Sequence, residues 1–327
     1  MTASSPLERL TDCIGGKFND ESNWFELIST ANAEFVAPVL CRSLEASDAA
    51  ARAEPEARAY LAELERANQA RNRNLWALVC KAIKGFNAKG VTPTLIKGAS
   101  EMALMADPSQ YSRLLIDVDL LVEPDELPAV EQAFDQLGFE LLADSQYQHS
   151  PGSYWCPGTV AAVDLHSSFP ERIACLLSGE DLNARLTLQE RDGIIFRVPD
   201  DSLRFLINIS HDMLHHTALA SGATNLRYLL TLAEQIKDPQ TQLDWGWLQS
   251  KRHNWRFRLA FDLQLMMLDD LLGVAVPATE PPEFLVRLLH WRRLLKFRNP
   301  RLGQIEWQLV RYGLSAARVV GMRRSER

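Results

Sequence analysis

The sequence predicts an α+β fold: a small mixed sheet within residues 91–200, flanked by helical regions at residues 1–90 and 201–327. Three observations predict it. Up to Lys89 the chain is rich in Ala, Leu, Glu and Arg, with apolar residues such as Leu61, Leu64, Leu75 and Leu78 at helical intervals. From Val91 to Phe169, short β-branched runs alternate with helical stretches and are punctuated by glycine and proline. Beyond Asp201 long segments of helical periodicity return, and the last of them are basic.

The elements follow in order. Residues 24–44 and 54–89 read as helices. "VTPTLIKG" is short and β-branched and ends at Gly98, a strand running into a turn, and "ASEMALMAD" is a short helix. "LLIDVDLLVEP" is the next strand. "PDELPAVEQAFDQLG" is a helix with acidic residues in its first turn and Gly138 at its end. "FELLA" begins a further strand, and the Pro157–Gly158 turn makes a hairpin of "SYW" and "TVAAVDLHSSF". "GIIFRVPD" adds a strand or turn arm. Helices are then expected in "DSLRFLINISHDMLHH", capped by Asp201, and in "NLRYLLTLAEQIKD". Three more follow: "WRFRLAFDLQLMMLDDLLG", stopped by Gly273, "PEFLVRLLHWRRLLKF" and "IEWQLVRYGLSAARVVG".

Composition narrows the function. The 327 residues are 46% hydrophobic, enough to bury a sizeable core. Five scattered cysteines with no CxxC pair argue for reduced thiols rather than a disulfide framework or zinc knuckle. The N-terminal stretch has early acidic residues and no apolar core, so no signal peptide is read there, and no apolar run spans a bilayer; a cytoplasmic protein is the expectation. The net charge of −7 hides an asymmetry, because from Arg287 onward there are eleven Lys or Arg against two Glu. That basic tail reads first as the solvated faces of terminal helices and next as a surface for an acidic partner, protein or membrane, whereas the acidic remainder and the lack of a recognition motif speak against nucleic acid.

The chemistry centres on carboxylates. In a strand Asp117 and Asp119 project from one face while Ile116, Val118 and Leu120 project from the other. Two like charges so close, in so apolar a run, call for a cation. Asp164 and His166 share a face of a later strand. If the two strands are neighbours, Asp117, Asp119 and Asp164 converge on an oxygen-rich site of the kind Mg²⁺ prefers. Lys97, Gly98 and Ser100 lie where a strand turns into a helix, a place suited to phosphate oxygens. His211 and His215 are spaced i, i+4 as pocket-lining candidates; with no evident third ligand and no HExxH pattern, they do not make a zinc signature.

The run "LIKGASEMALM…YSRLLIDVDLLVEPDEL…VDLHSSF" resembles the uncharacterised bacterial nucleotidyltransferases often labelled family 5, within the DNA polymerase β-like superfamily. The resemblance is strongest over residues 91–169 and looser over 20–90 and 200–240. It implies a phosphate-binding Lys-Gly at Lys97 and Gly98, the arginine before the DxD at Arg113, the DxD at Asp117 and Asp119, and the third carboxylate at Asp164. "HDMLHH" and "NLRYLLTLAEQ" resemble a His-containing helix and an Arg-aromatic-Leu helix of the family. Thr231 stands where family members usually carry Asp, and Gly98-Ala99-Ser100 replaces the superfamily's glycine-serine turn.

The resemblance implies Mg²⁺ (or Mn²⁺) as cofactor, an NTP donor (ATP by default), and transfer of a nucleoside monophosphate to a hydroxyl-bearing acceptor with release of pyrophosphate. Asp117, Asp119 and Asp164 are the implied metal ligands, and Lys97 and Arg113 the implied partners of the β- and γ-phosphates. The acceptor, a small molecule, a protein side chain or an RNA end, is not identified by any residue. One rival reading is a catalytically silent nucleotide-binding or regulatory protein of the same fold. Another is a DxD glycosyltransferase, which would give Asp164 no necessary role and needs a nucleotide-binding α/β domain before the DxD.

Overall fold

The computed structural model describes residues 4–17, 23–47, 53–144, 149–277, 283–299 and 302. Four helices come first: α1 (Pro6–Ile14), α2 (Trp24–Ala33), α3 (Ala37–Glu45) and α4 (Pro55–Ala88). The single helix expected over 24–44 is two. Phe35 adopts φ +57°, and Pro38, which fits only a first helical turn, opens α3. Ser5 caps α1 in a reciprocal pair with Glu8.

The middle of the chain carries β1 (Thr94–Leu95), α5 (Lys97–Leu104), β2 (Val118–Leu121), α6 (Leu127–Leu137), β3 (Glu140–Asp144), β4 (Gly152–Trp155) and β5 (Ala162–His166). Short helices α7 (Glu171–Ala174) and α8 (Gly179–Ala184) lead to a hairpin of β6 (Leu186–Arg191) and β7 (Ile194–Pro199). The seven strands form one mixed sheet in the order β3-β4-β5-β2-β1-β7-β6. β6 was not foreseen. Its signal was Asp192–Gly193, both at positive φ, the dipeptide favoured in two-residue hairpin turns.

The helical remainder is α9 (Asp201–Ser210), a π-helical turn (His211–His215), α10 (Ala218–Ser221), α11 (Leu226–Lys237), α12 (Trp245–Ser250), α13 (Trp255–Leu272) and α14 (Phe284–Arg298). Asp200, not Asp201, caps α9, accepting from the Leu203 amide at 2.8 Å. The helix expected in "IEWQLVRYGLSAARVVG", and most of the basic tail, lie outside the described residues. No helix among the described residues is long and apolar enough to cross a membrane.

Packing places the site. One face of the sheet is covered by α4 and α6, where Phe86, Phe134, Phe139 and Tyr154 interlock with ring centroids 4.3–5.0 Å apart. A second core joins α9, α11 and α13 to Ile96 and Leu121. The helices α1 to α3 close over Leu226 and Leu230 of α11. The carboxylate-bearing strands are thereby held between the sheet core and the C-terminal helices.

Candidate active site

β2 and β5 are parallel neighbours in the register Val118↔Val163, Asp119↔Asp164, Leu120↔Leu165. Strand alternation sends Val118, Leu120, Val163 and Leu165, all fully buried, into the core and leaves Asp119 and Asp164 side by side on the other face. Asp117 stands just before β2. On β4, Ser153 lies opposite Asp164 and its hydroxyl donates to the carboxylate. His166, two residues after Asp164, brings Nε2 to 2.9 Å from Asp119 Oδ1.

Lys97 reaches the same oxygen, with Nζ 2.5 Å from Asp119 Oδ1. It can do so because β1 runs antiparallel beside β2 and ends two residues before Lys97, with the Ile96 amide donating to the Asp119 carbonyl at 3.2 Å. Lys97 opens α5 at φ +54°, a left-handed conformation that costs a side-chain-bearing residue on the order of 1–3 kcal/mol. Glycine at the next residue keeps Leu115 in place: a Cβ on Gly98 would fall 2.3 Å from Leu115 Cδ2 and require that side chain to shift.

The charges sort themselves by burial and neighbours. Asp119 is held well below the usual carboxylate range: burial opposes its charge, but the Lys97 ammonium and the His166 hydrogen bond outweigh it. For Lys97, burial acts against the charge and Asp119 overcomes it, so its pKa rises. Asp117 is pushed up to about 6 by burial and by the negative charges of Asp119 and Asp164, with Lys97 opposing.

The raised Asp117 pKa fixes a sign. A carboxyl that binds its proton more tightly when folded contributes stability present below its unfolded pKa near 3.8 and lost as pH rises through about 6. In metal-free buffer, Asp117→Asn should therefore melt a few degrees above the wild type at pH 7.5 and level with it at pH 4. Thermal melts across that range check this, and a variant that melts lower at pH 7.5 would contradict it.

The carboxylates open onto a cavity of about 750 Å³. One wall is the 113–117 segment, pinned by α4. Asn72 donates to the Ser109 and Tyr111 carbonyls at 3.2 and 2.7 Å, and Arg71 donates to the Leu115 carbonyl at 3.1 and 2.8 Å and to the Val160 carbonyl at 2.9 Å. Arg113 lies over the Tyr228 ring, 4.7 Å from its centroid, and the Tyr228 hydroxyl is 2.7 Å from His211 Nδ1. His149, His166, His211, His215 and His216 supply another wall, with neighbouring rings 4.4–6.2 Å apart. Burial lowers the pKa of His149, His211 and His216, and that of His215 to about 4, so these four imidazoles are neutral at pH 7.

Of the residues singled out in the sequence, Lys97, Gly98, Arg113, Asp117, Asp119, Asp164, His166, His211 and His215 all line this cavity. Ser100 does not: it is fully buried and its hydroxyl turns back onto the Lys97 carbonyl at 2.7 Å. Thr231 faces a separate cavity and donates to the Arg227 carbonyl at 2.9 Å. His149, Ser153, His216, Arg227 and Tyr228 were missed as lining residues. The i, i+4 spacing of His211 and His215 was visible; the π-helical turn that carries them was not.

As a donor set for a divalent ion, three carboxylates offer oxygen only, and the mutual repulsion that raises Asp117 is what a cation would relieve. As the side chains stand, no group of three His, Cys, Asp or Glu among the described residues is drawn together to hold a metal, and Lys97 occupies Asp119 Oδ1.

A protein-family model described as an uncharacterised nucleotidyltransferase matches residues 20–273. No curated protein and no solved structure matches the chain.

Proposed function

The chain belongs to this uncharacterised nucleotidyltransferase family, and from that premise we propose that it transfers a nucleoside monophosphate from an NTP to a hydroxyl-bearing acceptor. The acceptor hydroxyl gives up its proton to solvent as its oxygen forms the new bond to the α-phosphorus, the bond from that phosphorus to the oxygen bridging to the β-phosphate breaks, and pyrophosphate leaves with the electron pair. The observation that carries the reading is the parallel pairing that sets Asp119 beside Asp164, with Asp117 just before the same strand, in the lining of one cavity that Lys97 and Arg113 share.

Asp117, Asp119 and Asp164 are the residues that would hold Mg²⁺ or Mn²⁺, which when bound supplies charge to the triphosphate and lowers the pKa of the acceptor hydroxyl. The chain's own part is orientation. Lys97 and His166 both hold the Asp119 carboxylate at Oδ1, and Ser153 fixes Asp164. Arg113, buried against Tyr228, offers guanidinium charge to the phosphates. ATP is taken as the donor by default.

A second reading, a nucleotide-binding protein that performs no transfer, is favoured by the Lys97 ammonium seated at Asp119 Oδ1. Titration calorimetry with ATP, GTP, CTP and UTP, each with and without Mg²⁺ or Mn²⁺, followed by an α-labelled NTP assay on cell extract, separates the two. Metal-dependent binding of one NTP and a labelled acceptor are expected. Binding without label supports the silent protein, and no binding of any NTP removes both.

A further inference from the structure

Three cationic side chains line the cavity: Lys97 is paired with Asp119 at 2.5 Å, Arg113 more loosely with Glu101 at 3.7 Å, and Arg227 with no carboxylate among the described residues. Arg113 Nε and Nη1 are buried with no hydrogen-bond acceptor. The nearest carboxylate, Glu101, stands 3.7 Å from Nη1, beyond hydrogen-bonding reach, and is already engaged by the Tyr111 hydroxyl and the Asn208 amide. Unsatisfied buried donors on a charged group are costly and call for an acceptor.

Arg227 presents the same situation independently. It is half-buried in the cavity wall, and its guanidinium lies over the Phe35 ring, 5.3 Å from the centroid. No hydrogen bond or ion pair holds its side chain among the described residues. Burial and the nearby Arg113 charge both disfavour its own charge. Two guanidiniums that repel each other across a wall, with donors unused, are arranged for an anion placed between them. Arg227 also belongs to the first turn of α11, a 12-residue helix whose Asn225 cap makes no side-chain hydrogen bond, so that end adds favourable dipole and open amides.

We propose that Arg227 and Arg113 form an anion subsite that receives the terminal, pyrophosphate-bearing end of the NTP donor, leaving Lys97 to organise Asp119 rather than to touch phosphate. The inference rests on the nucleotidyl-transfer reading for the identity of the ligand, but the anion subsite itself is defined by the two arginines. Arg113, already stacked on Tyr228, is the fixed member, and Arg227 is the member that closes on the phosphates.

The test uses inorganic pyrophosphate as the probe, titrated into the full chain without metal and then with Mg²⁺. Arg227→Gln should weaken pyrophosphate binding on the order of ten- to hundredfold, with Arg227→Lys between it and the wild type, since charge survives but the forked geometry does not. Asp164→Asn should bind pyrophosphate at least as well as the wild type while losing transfer. Equal binding by wild type and Arg227→Gln, both folded by circular dichroism, would overturn the subsite. So would simultaneous binding of NTP and pyrophosphate, which would assign the anion to the acceptor side. Arg227-dependent pyrophosphate binding that competes with NTP, in a protein that labels no acceptor, would keep the subsite and remove the transfer reading alone.

Discussion

Asp119→Asn is expected to lower nucleotidyl transfer on the order of a thousandfold at neutral pH with Mg²⁺. The substitution keeps the shape of the side chain and removes its charge at the position where Lys97 and His166 both converge and where the register sets Asp164 alongside. An asparagine that turns its NH₂ toward Lys97 sets donor against donor, and one that turns its oxygen there still leaves a buried ammonium without a full counter-charge. Single-turnover transfer from an α-labelled NTP measures the effect, with far-UV circular dichroism as the check on folding. Activity within tenfold of the wild type would show that Asp119 has no part in the chemistry.

Lys97→Met should cost stability rather than geometry, by about 3–5 kcal/mol at pH 7.5, because it strands a buried carboxylate whose remaining hydrogen-bond partner is His166. Methionine meets the same left-handed backbone penalty as lysine, so that strain cancels between the two proteins, as it would not with glycine. The sign with pH follows from Asp119. Its carboxyl is depressed in the folded wild type, so the stabilisation is present above the unfolded value of 3.8 and lost as pH falls below it. Urea unfolding at pH 7.5 and again below pH 4 should show a gap between wild type and variant that narrows in acid. A gap under 1 kcal/mol at pH 7.5, or one unchanged in acid, would mean that Lys97 does not compensate Asp119.

Much of the site was legible in the sequence because strands write their geometry with a period of two. "IDVDL" and "VDLH" disclosed which residues share a face, and the pairing of β2 with β5 then placed Asp119 beside Asp164. What escaped was contributed by docking. Arg227 and Tyr228 reach the cavity from a helix whose own pattern says only that one side is apolar, and His149 and Ser153 arrive with a hairpin whose register no local signal fixes. The π-helical turn at His211–His215 adds a backbone irregularity that helical periodicity cannot register. Ser100 was misplaced because a strand-to-helix turn suggests phosphate-facing hydroxyls, whereas in this turn the hydroxyl satisfies the Lys97 carbonyl. The shift of the cap from Asp201 to Asp200 reflects two adjacent aspartates of equal aptitude, decided by which carboxylate meets the Leu203 amide.

The parallel pairing of β2 with β5 also has a kinetic side. Antiparallel neighbours can be zipped from a tight turn, but in the chain α6, β3 and β4 separate β5 from β2, and β1 gains its second neighbour only with β7, which follows β5 and β6 in sequence. Long-range contacts of this kind pay their loop-closure entropy before they return any contact energy, so they form late and slowly compared with the helices on either side. A chain emerging during synthesis would carry α4 well before Asp119 and Asp164 meet. Asp164 therefore joins Asp117 and Asp119, which are neighbours in the sequence, only when β5 pairs with β2, so its share of the repulsion falls late in assembly.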